Sequence, residues 1–192
     1  QLHSPQPQWP IEDTMRNLLR LVDEGKIRYL GISNFSAEQT KEALNYGPIH
    51  SSQPRYNMLY REVEDSILPT CLSNGIGVLP HSVLAKGLLG GKYRPGQQFP
   101  TDDERHYWPN FQGELFERTF EVTEKLKVWA ADHGRDIVQL AIAWSLALPS
   151  VTSSIVGAKT PEQVRHNVQA ADWILNSRDL EEIDEIQGDL LF

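Results

Sequence analysis

Four short stretches, each set among helical patterns, constrain this chain more than any other feature. "IRYLGIS" is rich in residues that suit a buried strand, and "HSSQPRYN", "GIGVLPHS" and "SSIVG" offer a second, third and fourth strand. After the first, Ser36 and Gln39 form a capping box that predicts a helix through about Tyr46. A second helix is expected from about Asp65 to Asn74. Between the third and fourth strands, one helix should run from about Glu114 to His133, and another should open at Asp136 with Gln139 as its capping partner and stop at Pro149. Thr160, Pro161 and Gln163 then supply an N-cap, a proline at the first helical position and a capping partner for a helix to about Ala171. At the front, Ile11, Met15, Leu18, Leu19 and Val22 share one face of a helix ending near Glu24, with Gly25 as its cap; a last helix begins near Asp179. Strands alternating with helices imply parallel pairing through right-handed crossovers, in a doubly wound sheet or a barrel.

Residues 84–113 break the alternation. This Gly- and Pro-rich segment has no sustained periodicity, and in a single domain of 192 residues it reads as a lid or binding loop. The net charge of -8 is not gathered into a basic stripe, which argues against nucleic acid or an anionic membrane as partner and for a small substrate or a protein. The lone Cys71 suggests a reducing compartment, read as the cytoplasm, where the Asn34-Phe35-Ser36 sequon is idle. No apolar run reaches the roughly 20 residues a spanning helix needs, and no signal peptide is apparent.

Nucleotide and hydrolase motifs separate the architectures further. No G-x-G-x-x-G follows the first strand, which counts against a doubly wound dinucleotide fold. "GLLGGKY" fails as a phosphate loop because Lys86 stands where Gly is needed and Tyr93 where Ser or Thr is needed. There is no G-x-S-x-G elbow, and the six histidines lack metal-ligand spacing, so no metal site is expected.

What remains lies at the strand ends. "GKIRYLGISNF", "QPRYNMLYRE", "GVLPHSVLAKGLLGGKY" and "SSIVGAKTPEQVRHNVQA", in that order, resemble the aldo-keto reductase superfamily over essentially all 192 residues. The resemblance implies an α/β TIM (β/α)8 barrel that binds NADPH and reduces aldehydes or ketones to alcohols by hydride transfer. "QLHSP" resembles the end of the family's fourth strand, and a barrel of this type runs to roughly 250 residues. The expectation is therefore an incomplete barrel of about four complete β/α units with exposed sheet edges. The family's catalytic Asp, Tyr and Lys would lie on the missing part, and the chain alone would be inactive. Its expected partners are a small-molecule carbonyl substrate and either another copy or the missing N-terminal part.

Carried across residue by residue, the resemblance makes His3 the catalytic histidine that orients and polarises the carbonyl; read alone, it is a capping or packing residue. Ser33, Asn34 and Gln53 resemble a clamp on the nicotinamide carboxamide, for which Asn, Gln and Ser offer donors and acceptors; Ser-Asn is equally ordinary turn chemistry. His81 stands where the family usually has a tyrosine stacked on the nicotinamide. Ser82, Leu84, Lys86 and Gly87 would reach over the pyrophosphate, with Lys86 supplying charge, unless this is a surface loop with a solvated lysine. Gly157, Ala158 and Lys159 lead into the helix start at Thr160, a natural seat for a 2'-phosphate. Gln163 and Asn167 resemble adenosine contacts, with His166 where many members carry an acid, although Gln163 also serves as a cap. The alternative function is a nucleotide-binding or regulatory barrel without useful turnover; a barrel mouth that takes phosphate ligands alone is a third.

Overall fold

Three short strands form the centre of the structure, a computed structural model that describes residues 1–188. β1 (Gly31–Ser33), β2 (Ser51–Gln53) and β3 (Gly77–Val78) run parallel in that order, with Gly31 opposite Ser51, Ser33 opposite Gln53 and Ser52 opposite Val78. Single parallel bridges extend the array on both sides, Leu2 to Ile32 beyond β1 and Val151 to Val78 beyond β3.

The strands are shorter than the sequence suggests, and proline is the main reason. Pro54 and Pro80 have no N–H to give the ladder, so β2 and β3 stop just short of them, and pairing resumes only as an isolated bridge between Arg55 and His81. On the entry side of β1, the Leu30 N–H goes to the His50 ring at 3.2 Å instead of to a neighbouring strand. "SSIVG" does not form the expected fourth strand. Beyond the bridge at Val151 it stays extended and gives the sheet only one-sided bonds, Thr152 N–H to the Val78 carbonyl and Ile155 N–H to the Pro80 carbonyl, both at 2.9 Å. Among the described residues no further strand lies beyond it to complete a ladder.

The helices follow their caps. α1 (Ile11–Asp23) buries Met15, and α2 (Ala37–Leu44) opens with the Ser36–Gln39 capping box. α3 (Ile67–Ser73) precedes β3, and α4 (Gly113–Asp132) packs on both α5 (Ile137–Ser145) and α7 (Ser177–Gln187). Asp136 caps α5 by accepting the Gln139 N–H at 2.9 Å, and Thr160 caps α6 (Pro161–Val168). α7 begins two residues before the position expected, because Asn176 and Asp179 make a capping box of their own. Around these elements lies one core. Ile32, Met58, Leu126, Leu140 and Ile183 are sealed from solvent, and Tyr56 packs on Trp144 at 5.1 Å. Truncating Leu140 to alanine would cost about 2–5 kcal/mol.

Residues 84–113 are ordered by two devices. Short 3-10 turns span Ala85–Gly90, Glu104–His106 and Pro109–Phe111. Between them Tyr93, Phe99 and Phe111 meet edge to face at 5.1 to 5.6 Å, and Phe111 continues the contact to Phe116 of α4. Among the described residues no helix is long and apolar enough to cross a membrane.

Candidate functional site

The parallel array brings the ends of β1, β2 and β3 to one end of the sheet, and six of the residues singled out from the sequence gather there. The Leu2 bridge sets His3 beside the end of β1, where the Asn34 amide nitrogen donates to the His3 carbonyl at 3.0 Å. The Asn34 oxygen faces His81 Nε2 at 3.0 Å, and His81 Nδ1 lies 2.9 Å from the Ser82 hydroxyl. Ser33 is buried and donates to the Gln53 carbonyl at 2.7 Å, while the Gln53 amide donates to the Gln1 side chain. The imidazole of His81 is held below its ordinary range by burial first, then by the charges of Arg55 and His3. Ser33 and Gln53 are thus satisfied within the protein, and Asn34 joins the two histidines.

Ser82 connects this cluster to a cleft of about 660 Å³. Leu84, Lys86 and Gly87 line one wall of it; Gly157, Ala158, Lys159, Gln163, His166 and Asn167 line the other. Two stretches some seventy positions apart in sequence therefore meet across a single opening. Gly87 has φ +97, and a Cβ there would stand 2.8 Å from the Tyr93 ring, so the wall is built for a residue without a side chain. Gln163 does not close a capping box with Thr160: its oxygen accepts the backbone N–H of Lys159, one residue earlier, at 2.7 Å. His166 Nε2 approaches Asp136 Oδ2 at 2.6 Å.

Sequence reasoning missed three cleft residues with polar side chains, Lys92, Tyr93 and Arg105. Lys92 and Tyr93 were visible only as a failed phosphate-loop match, and no local pattern marks Arg105, which reaches the cleft because its loop folds back. Arg105 is fixed by Asp103 and by the Tyr93 hydroxyl. Hydrogen bonds from the Arg105 side chain, and then from its backbone N–H, pull the Asp103 carboxyl down to about 2. Lys86 pairs with Glu104 and lies 4.0 Å over the Trp108 ring.

The sign of the cleft is decided by its lining. Among the described residues Lys86, Lys92, Arg105 and Lys159 line it and no Asp or Glu does, Glu104 and Asp103 pairing with Lys86 and Arg105 from just outside, although the whole chain carries a net charge of -8. The N-terminus of α6, capped by Thr160, brings its positive dipole end to the same opening. Such a wall suits a ligand with more than one anionic group, flanked by apolar surface from Leu84, Val138, Ile155 and Val156. Among the described residues no cluster of His, Cys, Asp or Glu could hold a metal ion.

Comparison with known proteins identifies the family. The model of the Aldo/keto reductase family matches residues 1–187. Aldo-keto reductase YhdN of Bacillus subtilis (strain 168) is 37% identical over 187 residues, spanning 97% of this chain and 56% of that protein. The "Probable voltage-gated potassium channel subunit beta" of Arabidopsis thaliana is 37% identical over 184 residues, spanning 90% of this chain and 55% of that protein. Among solved structures, the glycerol dehydrogenase AKR11B4 from Gluconobacter oxydans superposes with a TM-score of 0.91 at 33% identity, covering 96% of this chain and 56% of that one. The chain spans about half the length of the curated relatives it matches.

Proposed function

This chain belongs to the aldo/keto reductase family of oxidoreductases, and on that premise we propose that it forms the cofactor-holding part of an NADPH-dependent reductase acting on aldehydes or ketones. The observation that carries the reading is the convergence of Ser82, Lys86 and Gly87 with Lys159, Gln163 and Asn167 on one cleft whose charged lining is entirely cationic. A dinucleotide with a pyrophosphate and a 2'-phosphate needs two separated cationic regions. Lys86, Lys92 and Arg105 make one, and Lys159 with the α6 N-terminus makes the other. When bound, the reduced nicotinamide supplies a hydride.

The remaining work falls to the protein. Asn34 lies at the ring end of the cleft with Ser33 and Gln53 bonded to each other behind it, and His81 offers a flat face there. His3, tied to Asn34 through its carbonyl, stands ready to hold a substrate oxygen by hydrogen bonding. The architecture that fits is a TIM barrel of which the three parallel strands and their helices form a part, with the family as support. Binding is tested by titrating the purified protein with NADPH and watching tryptophan quenching. Tight binding that weakens with salt and with Lys86→Ala supports the reading, and affinity no better than that of adenosine overturns it.

A second reading, cofactor binding without useful turnover, is favoured by the channel-subunit relative. Aldehyde-dependent NADPH oxidation by the full-length protein distinguishes the two.

A further inference from the structure

His81 departs from the pattern of the family, and its surroundings fix more than its position. The Asn34 amide nitrogen donates to the His3 carbonyl, which can only accept, so Oδ1 is the Asn34 atom turned to His81 Nε2 at 3.0 Å. A carboxamide oxygen also only accepts, and Nε2 must therefore carry the proton. In the neutral ring Nδ1 is then an acceptor, served by the Ser82 hydroxyl at 2.9 Å. Asn34 and Ser82 both have left-handed backbones, at φ 56 and φ 58, a conformation that persists only where the surroundings impose it. Asn57, fully buried, donates to the Ser82 carbonyl at 2.8 Å and holds that side in place.

The charged and titratable groups facing the ring are Arg55, from the segment after β2, and His3, from the segment beside β1. Arg55 is itself paired with Glu62 at 2.8 Å and lies 3.8 Å from the centre of the Tyr60 ring. Among the described residues no carboxylate is bonded to the imidazole, whose two nitrogens face an amide and a hydroxyl. Near neutral pH the ring is uncharged, with one fixed tautomer.

We propose that His81 is a charge gate at the nicotinamide end of the cleft: uncharged, it admits the cationic oxidised ring and the neutral reduced ring alike, and once protonated it repels the oxidised ring alone. This rests on the reading of the cleft as an NADP site with its ring end at the cluster of His3, Asn34 and His81. A tyrosine at the same place would bring no titration below about pH 9. The selectivity for reduced over oxidised cofactor therefore rises as the solution is acidified.

The test compares dissociation constants for NADP+ and NADPH, measured separately by calorimetry on the purified protein between about pH 5.5 and 8. The 2'-phosphate titrates in both ligands, so its effect cancels in the ratio. The NADP+ to NADPH ratio of constants should rise about fivefold or more on acidification, flatten in His81→Gln, and begin its rise at higher pH in Asn34→Asp, where a carboxylate faces Nε2. A ratio that stays flat in the wild type, or a slope that survives His81→Gln, overturns the gate while leaving the cofactor site standing. Failure of both nucleotides to bind at every pH overturns the gate and the cofactor reading together. Imidazole nitrogen shifts by NMR give a readout independent of any variant: Nε2 protonated and Nδ1 bare above about pH 7 supports the assignment, and the reverse tautomer overturns it.

Discussion

His166 Nε2 lies 2.6 Å from Asp136 Oδ2, which ties the cleft wall on α6 to the N-cap of α5. The other oxygen of that carboxylate accepts the Gln139 N–H at 2.9 Å, so one side chain both starts a helix and braces its neighbour. Asp136→Ala should lower stability by about 1–2 kcal/mol in urea unfolding, the usual range for a lost cap. Asp136→Asn keeps a capping oxygen and should lose less than half as much. Equal losses in the two variants would show that the contact to His166, and not the cap, sets the energy.

Glu104 occupies the charge of Lys86 at the cleft wall. An incoming pyrophosphate must replace that carboxylate. Glu104→Gln should therefore tighten NADPH binding by about two- to fivefold at low salt, and the gain should shrink as ionic strength rises. Fluorescence titration reads the change, with Trp108 reporting from beside the lysine. Weaker binding in Glu104→Gln would mean that the carboxylate organises the wall instead of competing for it.

Lys159 and the start of α6 predict a choice between cofactors. A helix N-terminus and one lysine each contribute on the order of 0.5–1 kcal/mol towards an exposed phosphate, and together with charge-assisted bonds they favour NADPH over NADH by about tenfold or more. Lys159→Ala should reduce that preference and its dependence on salt. Equal affinities for the two cofactors in the unaltered protein would remove the 2'-phosphate from this helix start.

The pair between Asp103 and Arg105 has a defined window in pH. The folded carboxyl titrates at about 2, below the unfolded value near 3.9. Its contribution is thus complete above the unfolded value and lost as pH falls through about 2. Carbon-13 titration of the Asp103 carboxyl checks the midpoint. A value close to that of a free aspartate would mean that Arg105 is not held at the cleft by this residue.

Helix starts were the most legible part of the sequence, because the same side chains that signal them make the bonds. Ser36 with Gln39 closes the capping box as read, whereas Asp136 caps α5 through the Gln139 N–H while the Gln139 side chain turns to the His166 carbonyl and Gln169. Thr160 caps α6 as expected, although the Gln163 side chain bonds to Lys159. Strand lengths were less legible: "IRYLGIS" keeps only Gly31–Ser33, since pairing depends on neighbours that hydropathy does not describe. "SSIVG" has strand composition and one-sided bonding. At the cleft, the residues beside strand ends and caps could be found from the sequence, whereas Arg105 arrives through a fold in a segment without periodicity.

The contacts among Tyr93, Phe99 and Phe111 give the segment over the cleft a small core of its own, anchored to α4 through Phe116. A strap built this way does not loosen residue by residue, because parting any one ring exposes the others. It behaves as a cooperative unit below the global unfolding limit. Amide hydrogens from residues 93–111 should then exchange with one shared opening free energy, and a ligand beneath the strap should slow them all by the same factor.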